Sequence, residues 1–175
     1  MRITQPPVSL ISGITIDGDV DWGGFSITNF KHLDLISGGY VKLEDSLAAN
    51  LDWSGILFEG TAGENLAQFE TVYRHSDGNY QKAKADSVLT MPVFALSVEA
   101  INEGEKGKFI LFGWARKVGW GLTAGLPIYQ SAGTAGAGTT TIPSGGGNQI
   151  QKIGIGLTTE IAHFMGIYTV FEVTS

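Results

Sequence analysis

The stretch Thr61-Ala62-Gly63-Glu64-Asn65-Leu66, continued by Phe69-Glu70-Thr71-Val72-Tyr73 and the turn Ser76-Asp77-Gly78-Asn79, decides the fold. It passes from a small-residue turn into an apolar, β-branched and aromatic run. A second turn with glycine follows. β-Branched and aromatic side chains suit a pleated surface, and Gly supplies the positive φ that tight hairpin turns need. An echo follows at Thr123-Ala124-Gly125-Leu126-Pro127-Ile128-Tyr129 and Ser131-Ala132-Gly133. Both copies predict turn, strand and turn, and neither predicts a catalyst.

Working outward, strands and turns recur roughly every ten residues from Leu57 onward, the spacing of a sandwich or barrel. Residues 92–98 alternate so that Phe94, Leu96 and Val98 share a face. Residues 108–115 form the most apolar strand, expected to be buried on both faces. Gly113 inside it predicts a bulge or a close backbone approach. Residues 149–157 and 167–173 are expected to close the sheet, with residues 159–164 between them as a turn or a single helical turn. Residues 131–147 are nearly all Gly, Ala, Thr and Ser, and are expected to be mobile or to order against a partner. Residues 44–50 are the best helix candidate, with Asp45-Ser46 as its cap. The expected fold is all-β: a compact β-barrel or sandwich with a short N-terminal β-segment and an extended arm.

Upstream, Pro6-Pro7 favours an extended backbone over residues 1–10. Short strand-like pieces follow at residues 14–16, 26–30, 33–36 and 40–43, too short to bury a face alone. This suggests two domains. Residues 1–56 form an arm with short β-segments for attachment and oligomerisation, and residues 57–175 form the barrel or sandwich.

Composition narrows the function. The chain has 175 residues with 43% apolar and 16% charged side chains, the balance of a folded protein poor in charge. The net charge of −6 and the lack of any Lys/Arg cluster argue against nucleic acid, which needs phosphate neutralisation. With no Cys, disulfides and thiolate metal sites are excluded. No stretch approaches the ~18 apolar residues of a membrane span, and no signal-peptide pattern opens the chain. The expectation is a protein made and used without crossing or binding a membrane.

Site motifs all fall short. Asp17, Asp19 and Asp21 alternate like the start of a calcium loop, yet Trp22 stands where Gly is required and Thr28 where the bidentate Glu belongs. A solvated acidic turn is the better reading. His32, His75 and His163 are far apart and read as surface or satisfied histidines. In the Gly-rich run 133–140, Gly138 holds the place of the P-loop Lys, and Gly154-Ile155-Gly156 lacks the third glycine of a dinucleotide fingerprint. No Gly-x-Ser-x-Gly elbow exists, and carboxylate spacing alone identifies no acid pair. No catalytic residue, cofactor or metal is expected. Trp114 reads as core from its strand neighbours. Trp120, between Gly119 and Gly121 in a turn, and Tyr129 are the aromatic candidates for an interface, joined by Pro6, Pro7, Val8 and Trp22.

Taken together, Gly63-Glu64-Asn65-Leu66, Val72-Tyr73, Gly78, Lys82-Ala83-Lys84-Ala85 and residues 92–98 resemble a β-module of tailed-phage virion proteins. So do the strand ending at Gly113, the entry Gly125-Leu126-Pro127-Ile128-Tyr129, and Gln149-Ile150-Gln151-Lys152-Ile153-Gly154-Ile155-Gly156. Residues 18–30 are similar to the short β-segments of phage fibre shafts. The resemblance covers most of the chain. It implies a non-enzymatic virion component of the capsid-decoration or head-fibre type, often a homotrimer, displayed outside the capsid. Residues 1–10 would attach it to the major capsid protein or a neighbouring subunit. The short shaft-like region favours a compact decoration protein or head fibre over a long tail fibre. The alternative is a receptor- or glycan-binding module of a tail fibre, with Trp120, Tyr129 and residues 131–147 meeting a host-surface glycan. A fibre-borne polysaccharide hydrolase would need an acid pair that the sequence does not single out.

Overall fold

The computed structural model describes residues 35, 37–166 and 168–174. The chain divides into two compact units, Met1–Tyr40 and Val41–Ser175. The expected arm, Pro6, Pro7, Val8, Trp22, the Asp17–Asp21 turn, His32 and the shaft-like segment lie outside the described residues. The division expected at residues 56/57 falls inside a strand, and the units part at residues 40/41 instead.

In the second unit the apolar runs become short antiparallel strands: β1 Trp53–Thr61, β2 Thr71–Arg74, β3 Tyr80–Lys82, β4 Ala95–Ser97, β5 Lys106–Arg116, β6 Pro127–Gln130, β7 Gly138–Thr139, β8 Gln149–Ile150, β9 Lys152–Gly156, β10 Ile161–Met165 and β11 Phe171–Glu172. The one helical element among the described residues is a 3-10 turn at Val88–Thr90. The unit is all-β, as the sequence predicts. Its main sheet runs β3-β2-β4-β5-β10-β9-β6-β7, with β1 also on β5, and it curls into a half-barrel. Strands β8 and β11 form a separate pair.

Strand β5 organises the sheet. Along one edge it pairs with the whole of β1, from Trp53↔Ala115 to Thr61↔Lys106. Its other edge is shared. The pairs Leu96↔Ile110 and Ser97↔Phe109 join it to β4, and Met165↔Phe112 through Ile161↔Arg116 join it to β10. The handover falls where the β1 register jumps from Ile56↔Phe112 to Leu57↔Ile110, leaving Leu111 unopposed. A bulge bends its strand and sharpens the local twist, which lets one strand serve two wings. Gly113 lies two residues on, opposite Gly55. A Cβ on Gly113 would sit 2.2 Å from the Ser54 carbonyl oxygen, so the expected close backbone approach is present.

The wings enclose two cores. Phe69, Tyr73, Leu96, Val98, Ile110, Ile128, Ile153 and Phe164 fill the larger one. Leu66, Val72, Ala95, Ile101 and Phe109 fill the smaller, with Phe58, Tyr80 and Phe94 ringed around Phe109. Neighbours in sequence go to opposite cores, as the period of two in a strand requires: Val72 and Tyr73, Ala95 and Leu96, Phe109 and Ile110. Buried amides tie the wings together. Thr71 donates to Gln130 Oε1 at 2.6 Å, and Gln130 Nε2 donates to the Ala83 carbonyl at 2.7 Å. Gln151 accepts from Val93 N–H at 2.7 Å and donates back to its carbonyl at 3.1 Å.

Several expectations change. Residues 44–50 form no helix, because their backbone is engaged elsewhere. Arg116 Nη1 donates to the carbonyls of Leu47 and Ala48, and Leu51 N–H donates to Arg116 O. Residues 40–43 are irregular, not a strand. Residues 159–164 read as a turn or a single helical turn; instead Ile161–Met165 is strand β10, whose Phe164 fits between Gly113 and Gly154 on its two neighbours. The 149–157 run breaks at Gln151, whose side chain is buried against Val93. Phe94 leaves the face of Leu96 and Val98 and joins the aromatic ring around Phe109. The Gly-rich loop is bound by its own chain: Gly136 N–H donates to Ala83 O, Thr71 N–H to Gly136 O, and Gly133 and Thr134 N–H to Ser131 Oγ.

Candidate interaction surface

Trp120 and Tyr129 do not form the exposed pair expected of them. Tyr129 is 7% exposed and is a core residue. Trp120 is half-buried, stacks on Phe69 with ring centroids 5.6 Å apart, and packs against the larger core. Between these rings and Leu122, Ile128 and Phe164 lies an apolar cavity of about 20 Å³, which holds about one water and no larger ligand. Glycines on both sides of Trp120 leave the turn free to fold the indole inward. The loop hypothesised to meet glycans lines a concavity with Ser131, Thr139, Thr141 and Asn148.

The charged groups are dispersed. Among the described residues, no three His, Asp or Glu side chains gather as metal ligands. His75 Nδ1 lies 3.1 Å from Asp77 in the β2–β3 turn. There the backbone N–H of Asn79, followed by His75, lowers the Asp77 carboxyl below its usual range. Lys82–Glu70 and Arg116–Glu160 pair at 3.2 and 3.0 Å on the surface. No helix among the described residues is long and apolar enough to cross a membrane.

What the structure brings together is an apolar band on the outer face of the main sheet. One row crosses five strands: Pro127↔Ile155↔His163↔Trp114↔Ser54. A second row, Met165↔Phe112↔Ile56, lies beside it. Ile56 is 55% exposed and Ile155 40% exposed; Phe112, Trp114, His163 and Met165 are half-buried. Rings stand against each other along the rows. His163 stacks on Trp114 at 4.8 Å and meets Phe112 edge-on at 4.8 Å. Its Nε2 is buried without a hydrogen-bond partner, and burial lowers its pKa.

The sequence reading of β5 as buried on both faces holds for Phe109 and Ile110 and fails beyond the bulge. Before Leu111 the odd residues face the smaller core. Beyond it Phe112 and Trp114 take the open face, while Ala115 enters the larger core. Trp114 is therefore half-exposed, not core. Strand β9 does the same: its register shifts between Ile128↔Gly154 and Tyr129↔Lys152, so Ile153 is core and Ile155 is exposed. Alternation alone would put the members of each pair on one face. No residue pattern marks either bulge, apart from Gly113 and Gly154 nearby.

No protein-family model, curated protein or solved structure matches this chain.

Proposed function

We propose that this protein is a non-enzymatic structural component of a virus particle, of the capsid-decoration or head-fibre type. It works as a homotrimer on the outer surface of the virion and contacts the major capsid protein or a neighbouring virion protein. The observation that carries the reading is an all-β unit whose polar network is closed inward while an apolar band stays open outward. Such a band suits a macromolecular cover: its apolar rows span five strands, and the hollow at its end, lined by Pro127, Lys152, Gly154, Ile155 and Met165, has Lys152 as its one polar side chain. The likeness of the Gly63–Leu66, 92–98, 125–129 and 149–156 stretches to phage virion β-modules supplies the kind of partner. Many weak contacts around a capsid add as avidity, so each need not be tight.

The test is co-sedimentation of the purified protein with capsids of the virus that encodes it. Saturable binding, lost when residues 1–10 are removed, is expected. Absence of binding to those capsids at micromolar protein would reject the proposal. The glycan-binding reading keeps only the 131–147 loop, since Tyr129 is buried and Trp120 caps the core.

A further inference from the structure

We infer that the concavity lined by residues 131–133 and 139–148 is a binding site for a neutral sugar ring, free or at the end of a glycan chain. The site adds a ligand to the proposed function and does not depend on the virion role. The hollow measures about 240 Å³ and opens to solvent. Pockets for drug-sized ligands run from about 300 to 1,000 Å³, so this one suits a single ring. No charged side chain lines it, so an anion would meet no cation there and a cation no carboxylate. Ser131, Thr139, Thr141 and Asn148 bring hydroxyls and an amide, while Ile142 and Pro143 bring apolar surface. A sugar ring carries the same mixture, with hydroxyls around its rim and C–H groups on its faces.

The polar groups are set in advance. Ser131 Oγ accepts from the N–H groups of Gly133 and Thr134 at 3.1 and 3.0 Å, which occupies both of its lone pairs and leaves its O–H to donate. Thr139 Oγ1 accepts from Thr141 N–H at 3.1 Å and keeps its O–H as a donor in the same way. Asn148 is pinned through its backbone: its N–H donates to Gly145 O at 2.9 Å, and its carbonyl accepts from Val173 N–H at 2.8 Å. Among the described residues its side-chain amide has no hydrogen-bond partner. An amide offers a donor and an acceptor side by side, the complement of two neighbouring sugar hydroxyls. Gly145 leaves room for that amide, since a Cβ there would sit 2.8 Å from Asn148 Nδ2. The loop is already tied down through Gly136, which bonds Ala83 and Thr71, and groups fixed before binding lose little entropy when a ligand arrives. No aromatic ring lines the hollow, so the affinity for a single ring is expected in the millimolar range.

The experiment is an NMR titration of the full-length, isotope-labelled protein with the methyl glycosides of glucose, galactose, mannose and N-acetylglucosamine, each to ~50 mM. Saturable shifts confined to the backbone amides of residues 131–148 are expected with at least one of them. The methyl glycoside of N-acetylneuraminic acid, an anion, is expected to leave those amides unmoved. Asn148→Ala and Thr139→Val are each expected to weaken binding about tenfold while leaving the circular dichroism spectrum unchanged. Gly145→Ala is expected to weaken it similarly by displacing the Asn148 amide; Gly145 has no positive φ, so the added methyl brings no backbone strain. That variant reads the site even if the other two fold poorly. No saturable shift with any neutral glycoside, shifts centred elsewhere, equal shifts with the anion, or binding unmoved by all three variants would overturn the inference. Capsid co-sedimentation is read separately, so each of those results leaves the virion proposal standing.

Discussion

At the scale of single residues, His163 is a titratable group whose setting the fold changes. Its ring is wedged between Trp114 and Phe112, and burial lowers its pKa below the ordinary value near 6.5. A histidine with a lowered folded pKa binds fewer protons in the native state than in the unfolded one as pH falls below 6.5. Its contribution is therefore complete above about pH 6.5 and is lost as pH falls through that value toward the folded pKa. Melting temperature is expected to fall between pH 7 and pH 5, and His163→Phe to flatten that slope; an unchanged slope would remove His163 as the cause. The lowered carboxyls of Glu44 and Asp77 act in a lower pH window and do not confuse the reading. Gly113 is the other decisive residue. Gly113→Ala places a methyl 2.2 Å from a backbone oxygen, where no side chain can yield. A loss of about 3 kcal/mol or more in urea unfolding is expected, at the high end of single substitutions.

At the scale of elements, buried amides and one arginine tie loops and strand ends to the sheet, in a unit whose one described helical element is a 3-10 turn. Gln151 interrupts the run between β8 and β9, and its side chain pairs both backbone polar groups of Val93. Gln151→Leu would leave a buried N–H and carbonyl without that partner, at about 1–3 kcal/mol each, read as a lowered denaturation midpoint. Arg116 holds residues 47 and 48 by their carbonyls and also meets Glu160. Arg116→Ala is expected to free the segment before β1 and to speed limited proteolysis there at least severalfold. Arg116→Lys should not rescue it, because one ammonium does not reproduce the planar fork. Equal proteolysis of wild type and Arg116→Ala would show that the segment is held by other means.

At the scale of the whole molecule, the buried residues of both cores lie between 62 and 164, and the side chains packed against them between 53 and 170, within the unit Val41–Ser175. A chain beginning at Val41 is expected to give a β-type circular dichroism spectrum and a single cooperative melt. Two separated transitions would mean that the wings fold apart despite sharing β5. The fork at Leu111 argues against that, since the pairs on either side of it belong to one strand.

The sequence by itself determined the class of fold. Glycine turns, β-branched and aromatic runs and the Ser76–Asn79 hairpin are local signals, and local backbone physics answers them with short strands. It also located the close approach at Gly113, because a glycine inside an apolar strand has few other uses. Tertiary structure alone decided which faces those strands show. A strand's two faces alternate, so one unopposed residue reverses the assignment of everything after it. Leu111 and Ile153 each do this, turning Trp114 from expected core to half-exposed surface and Ile155 away from the face of Ile153. In the opposite direction, Tyr129 and the ring of Trp120 were drawn inward by cores that assemble from strands far apart in the chain. The candidate interface was therefore not legible in the sequence: its residues meet only across five paired strands, and the register that aligns them is a property of the sheet.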